Sequence, residues 1–214
     1  ILIALRVNNW NNSRLDRQQE QVILQDIFEE LAANGSYLAE LQEVEQRKAE
    51  LTRKLLPYFG ETPLLIVSDS FYRWAFSMGD VPPFSPKNSV LTAIMNTGTL
   101  ELIQDKALRY ALTDYQALLR SLAEDYQYRI DYWKMEINPY FIRHISSVEA
   151  FRAEDYLPDG SRFPWPIEQV LADPHFENLV TDVVTYAIGQ VDRLQWHMDH
   201  IEEIRAMITS YRSD

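Results

Sequence analysis

His197-Met-Asp-His200-Ile-Glu-Glu203 is the densest group of potential metal ligands in the chain. His197, His200 and Glu203 stand successively three residues apart. On a helix that spacing keeps them on one side, where imidazole and carboxylate could approach one transition-metal ion. A second reading comes from their neighbours. Met198 and Ile201 belong to an apolar stripe, so the three residues flank a core or face water. A carboxylate-bridged pair of metals would also want Glu-x-x-His on facing helices, and that pattern is absent. The chain therefore reads as holding no metal, with these three the only candidates.

Other reaction chemistry is sparse. No Gly-x-Ser-x-Gly elbow is present. Ser68, Ser70 and Ser77 lie near Asp69 with no His close in sequence. The 4 His leave little acid–base material near neutral pH. No glycine-rich phosphate loop occurs, and Asn96-Thr-Gly98-Thr99 reads as helix punctuation, with Gly98 as a left-handed C-cap and Thr99 or Asp105 capping the next helix. No catalytic residue and no cofactor is expected. The aromatics, 12% of the chain, are the remaining resource. Tyr128, Tyr132 and Tyr140 crowd one helix. They read either as filling of a thick core or as docking residues, because Tyr is enriched where proteins recognise partners.

Composition narrows the function further. A content of 46% hydrophobic residues in 214 supports one domain with a substantial core, or two small ones. A net charge of −12 disfavours non-specific binding to nucleic acid and polybasic docking on anionic lipid. With 0 Cys there are no disulfides, thiol nucleophiles or Cys–zinc sites.

The elements that must position these residues are helical. No convincing alternation of period two occurs, 64–67 being the best strand candidate. A first helix is expected over residues 7–56, with an apolar stripe through Ile23, Ile27, Leu31, Leu38, Leu41, Val44, Leu51 and Leu55. Asn34-Gly35 would bend or break it, and Pro57 and Gly60 mark its end. A broken second segment comes next, helical over 65–78 and again from a Ser85-Pro86 start to Gly98. The third helix starts at Asp105 and runs through Leu108, Leu112, Tyr115, Leu119, Leu122, Tyr126, Ile130, Trp133 and Ile137, with Asn138-Pro139 kinking it or capping a new one. Residues 148–173 read as an irregular, body-packed loop with one helical turn at 167–172. Asp173-Pro174 caps the last helix, whose stripe includes Val180, Val183, Ala187, Val191, Leu194, Met198, Ile201, Ile204 and Ile208. The fold class is all-α: an elongated antiparallel four-helix-bundle-like domain with a broken second helix.

The first five residues are apolar and give way to Arg6, three Asn and Trp10. This pattern reads as the end of a membrane-spanning helix (residues 1–12) carrying a soluble helical domain (residues 13–214). Trp10 suits the headgroup region and Arg6 can snorkel toward water. The string Ile3-Ala-Leu-Arg-Val-Asn-Asn-Trp-Asn11 resembles the membrane-exit segment of an uncharacterised bacterial family of single-pass, N-terminally anchored helical proteins. Asn96-Thr-Gly-Thr-Leu-Glu-Leu-Ile103, followed by Leu108-Arg109 and Tyr115, is similar to that family's central pattern, and Phe176-Glu-Asn178-Leu179 is a weaker echo. The resemblance implies a tether and a helical fold, and no activity. It lacks the basic stretch that usually precedes the family's span, so the side of the membrane stays open, with the periplasmic side favoured.

Three functions emerge as expectations. The first is a membrane-anchored, non-catalytic interaction or accessory module with a protein partner or a second copy, and no nucleic acid. The second is an extracytoplasmic small-ligand sensor. The third is a metal-dependent helical enzyme using His197, His200 and Glu203.

Overall fold

The computed structural model describes residues 2–213, with side chains described for 10–212. Eight α-helices are formed among the described residues: α1 (Leu2–Arg53), α2 (Ser68–Phe76), α3 (Ser89–Thr97), α4 (Lys106–Tyr132), α5 (Asn138–His144), α6 (Ser147–Ala153), α7 (Ile167–Leu171) and α8 (Pro174–Ser213). There is no strand among them, and 64–67 is a non-helical lead into α2. A π-turn over Trp133–Ile137 joins α4 to α5. Pro139 has no amide hydrogen and its ring crowds the preceding turn, so the widened turn before it absorbs the clash without ending the helix.

The long helices are seamed by alternating steps of four and three. On α1 the buried seam is Glu20, Leu24, Ile27, Leu31, Asn34, Leu38, Leu41, Glu45, Lys48 and Thr52, and Leu55 in the turn after it continues the spacing. On α4 it is Leu108, Leu112, Tyr115, Leu119, Leu122, Tyr126 and Arg129. On α8 it runs through Val180, Val183, Ala187, Gln190, Leu194, His197, Ile201, Ile204 and Ile208. That is the period of a helix burying one face. It corrects the expected stripes at the same kind of place on each helix. Val44, Leu51, Ile130, Val191 and Met198 are half-buried. The seam positions beside them hold Glu45, Lys48, Thr52, Arg129, Gln190 and His197.

The chain divides into two compact units, and α1, α4 and α8 contribute to both. The first comprises Ile1–Ala39, Ser85–Leu122 and Gln195–Asp214. Its buried apolar residues include Leu24, Leu31 and Leu38 of α1, Leu91 and Ile94 of α3, Leu108, Leu112, Tyr115, Leu119 and Leu122 of α4, and Ile201, Ile204 and Ile208 of α8. Asn34-Gly35 does not break α1, which stays helical through both residues. Asn34 is buried and latches the segment before α3: its Nδ2 donates to Lys87 O at 2.6 Å and Tyr115 Oη at 2.9 Å, while its Oδ1 accepts from Lys87 N at 2.8 Å. The cap of α3 is not Ser85. Glu30, reaching across from α1, accepts from Val90 N at 2.8 Å and Leu91 N at 3.1 Å, filling the orphan donors of the first turn. Gly98 ends α3 with φ 72, the left-handed cap read from the sequence. Asp105 caps α4 through Ala107 N and Leu108 N.

The second unit comprises Glu40–Phe84 and Ala123–Leu194. Phe176, wholly buried, is the hub of its core. It meets Phe59, Phe71 and Phe141 at tilted or edge angles and stacks on Tyr140 at 5.3 Å. α6 lies where an irregular stretch was expected, capped by Ser146 Oγ, which accepts from Glu149 N. Asp173 caps α8 through His175 N at 2.8 Å.

No helix among the described residues is long and apolar enough to cross a membrane. The side chains of Ile1–Leu5 and Arg6, on which the membrane-exit reading turned, lie outside the described residues. Trp10 is 67% exposed, with the Arg14 guanidinium over its ring.

Candidate functional site

The second unit holds a buried charged layer. Glu45 and Lys48, one turn apart on α1, are 0% and 2% exposed, and Arg129 of α4 is buried against them. Arg129 Nη2 donates to Glu45 Oε2 at 2.9 Å. Its Nη1 stands 2.7 Å from Glu45 Oε1, close as an ion pair yet off the line of a hydrogen bond. Lys48 Nζ lies 3.4 and 3.3 Å from the two oxygens of the same carboxylate. One carboxylate is therefore shared by two buried cations. Burial first and then the Arg129 charge lower Lys48 to about 8, against the opposing pull of Glu45 and Asp80. The guanidinium also sits over the faces of Tyr126 and Tyr186 at 5.1 and 5.8 Å. Gln190, on the α8 seam, is 2% exposed, and its Oε1 has no hydrogen-bond donor.

Lys48, Arg129 and Gln190 of this layer line a cleft of about 490 Å³. The size lies within the range of small-molecule sites. Its walls are aromatic and apolar: Tyr128, Tyr132, Trp133 and Tyr186, with Met78, Val81, Ile137 and Val183. Tyr128 stacks on both Tyr132 and Tyr186. Tyr132 Oη donates to Asp182 Oδ2 at 2.9 Å. Burial and then the Asp182 carboxylate raise the Tyr132 phenol far above its ordinary range. The cleft is further bounded by Arg193, which is paired with Asp125.

Backbone chemistry places these walls. Trp133 opens the π-turn, and its ring packs against Gly79. A Cβ there would come within 2.8 Å of Trp133 Cη2. Ser77, in the 3₁₀ turn before that glycine, is held by Thr52 Oγ1 at 3.0 Å and by Trp74 O at 2.7 Å.

The residues singled out in the sequence fall in different places. Tyr128 is exposed and Tyr132 half-buried, and both line the cleft. Tyr140 is buried, its hydroxyl donating to Asp173 Oδ2 at 2.7 Å. His197 is buried on the α8 seam. The His200 ring stacks on Trp196, with Nδ1 3.4 Å from Glu203 Oε2. No three His, Asp or Glu side chains come together in a way that could hold a metal ion among the described residues. Steps of three lag a helical turn, so the first and third members of the trio stand about 120° apart around α8. Glu45, Lys48, Arg129 and Gln190 were not anticipated. Their signal was the four-three seam itself, followed through polar letters as well as apolar ones.

Compared with protein-family models, with curated proteins and with solved structures, the chain shows no match.

Proposed function

We propose that the second unit is a small-molecule-binding module, the sensor-like function anticipated among the three. The observation that carries it is the Glu45–Lys48–Arg129–Gln190 layer opening onto an aromatic-walled cleft. Buried charge in a folded core costs stability unless it is fully paired. Here the pairing is incomplete, with two cations to one carboxylate and an amide oxygen without a donor. Such groups are the usual orientation-setting elements of a ligand pocket. The finer arrangement, a four-helix bundle of α1, the broken 63–97 segment, α4 and α8, belongs to this proposal. A thermal-shift screen of metabolites against dialysed protein tests it. Saturable stabilisation lost in Tyr132→Ala and Trp133→Ala is the expected result. Binding unaltered by both changes would move the ligand elsewhere.

The membrane-tethered interaction module is the second reading. It draws on Trp10 and the exposed turns that come after it on α1, a surface suited to a headgroup region beside an anchoring segment, with the domain on the periplasmic side. Flotation of the full-length product with membranes checks the tether. Cross-linking in detergent checks the protein partner or second copy.

A further inference from the structure

The charge and donor pattern of the cleft also specifies its occupant; this step rests on the ligand-binding reading above. Three features restrict the choice. Lys48 carries three N–H donors, and its only hydrogen-bonding acceptor among the described residues is the Glu45 carboxylate, at 3.3–3.4 Å, the long end of the range. Arg129 adds a guanidinium whose Nη1 is not aligned on Glu45. Together they leave one positive charge in excess around Glu45, and both line the cleft. Gln190 lines the same cleft, and its buried Oε1 is an acceptor without a donor. Above these groups, the walls of Tyr128, Tyr132, Trp133 and Tyr186 suit a flat apolar body. Asp182 also lines the cleft, and Asp80 lies near enough to act on Lys48, so a dianion would meet opposing charge.

We infer that the cleft binds a small organic monocarboxylate with a flat apolar body and one hydrogen-bond donor, the carboxylate on Lys48 and Arg129 and the donor on Gln190 Oε1. Lys48 then completes its donors on the ligand, and the buried layer becomes charge-balanced. The groups that act on the Lys48 charge are Glu45, Arg129 and Asp80. Lys48 loses its proton near pH 8 in the free protein, so binding strength falls as pH rises through that value.

Matched probe series test this. Indole-3-acetate, indole-3-acetamide and tryptamine share one body and differ in charge; phenylacetate, phenylacetamide and phenethylamine repeat the comparison without the ring donor. Titration calorimetry with the full chain should show at least one carboxylate binding about tenfold or more tighter than its amide and amine. Its affinity should drop about tenfold from about pH 7 to about pH 9, as the protonated fraction of Lys48 falls. Lys48→Met should abolish the preference for carboxylate over amide. Gln190→Leu should weaken the indole member and spare the phenyl member. Amide or amine binding as tightly as the carboxylate overturns the monocarboxylate assignment while leaving a ligand site in place. No binding by any of the six probes at millimolar concentration overturns the assignment, whereas the ligand-binding reading fails only if the metabolite screen is also empty. Should Lys48→Met not fold, the pH profile of the unaltered protein decides the same question: affinity for the carboxylate that stays level from about pH 7 to about pH 9 removes Lys48 from the site.

Discussion

At the scale of single residues, the energetics turn on how three charges share a space that excludes water. Glu45 is the only carboxylate in direct contact with Lys48 and Arg129 among the described residues. Glu45→Gln would leave two buried cations without a counter-charge, and the expected loss is about 3–5 kcal/mol by urea denaturation. Lys48→Met has the opposite sign. The lysine is held from 10.5 down to about 8 by burial and then by Arg129, so its protonated form is disfavoured by about 3 kcal/mol at roughly 1.4 kcal/mol per pKa unit. Replacing it with an unbranched apolar chain leaves a neutral Glu45–Arg129 pair, and a gain of up to about 3 kcal/mol at neutral pH is expected. The linkage adds a second signature. Between pH 8 and 10.5 the unfolded chain holds the Lys48 proton and the native chain has lost it. Unfolding then takes up a proton, so this residue's contribution to stability rises with pH across that window. Urea midpoints at stepped pH should show the rise in the native sequence and not in Lys48→Met.

At the scale of elements, the helices were legible because their apolar residues recur at helical spacing, and Gly98, Asp105 and Asp173 punctuate them as their chemistry requires. The seam was legible only in part. Reading apolar letters alone steps from Leu41 to Val44 and from Leu122 through Tyr126 to Ile130, whereas the packed face continues to Glu45 and Arg129. A strict seven-residue repeat, followed whatever the residue type, names Lys48, Gln190 and His197 as buried. That places most of the charged layer in view from sequence. α6 stayed hidden because Phe151 and its neighbours resemble the aromatic loop that comes after them. The cap of α3 stayed hidden because Glu30 is 60 residues from Val90 in the chain, and no local rule links them. That cap makes a prediction. Glu30→Ala leaves the first-turn amides of Val90 and Leu91 without their acceptor in a partly buried setting, and a loss of about 2 kcal/mol is expected. Hydrogen exchange should show faster exchange confined to α3, with α6 unchanged, since α6 has its own Ser146 cap.

At the scale of the whole molecule, the abundance of tyrosine sets the alkaline limit of the fold. Of the 12 tyrosines, Tyr72, Tyr115, Tyr132, Tyr140, Tyr186 and Tyr211 all have phenols raised above the ordinary value of 10. Burial is the first cause in each. Tyr132, Tyr140 and Tyr211 add a hydroxyl that donates to a carboxylate and would lose that bond on ionising. Tyr72 and Tyr211 are pushed up to about 12. A raised phenol keeps its proton in the native state after the unfolded chain has released it. Its stabilising contribution is present below pH 10 and is lost as pH climbs toward 12. This opposes the gain from Lys48, which is complete near 10.5. Stability should therefore rise above neutrality, crest near pH 10 and fall steeply beyond. The phenolate absorbance gives an independent check. These six tyrosines should stay protonated past pH 10 and then ionise together with loss of the helical circular dichroism. A single smooth titration of all tyrosines near 10, with helicity intact, would mean that these rings are open to water and that the cleft walls are not packed as described.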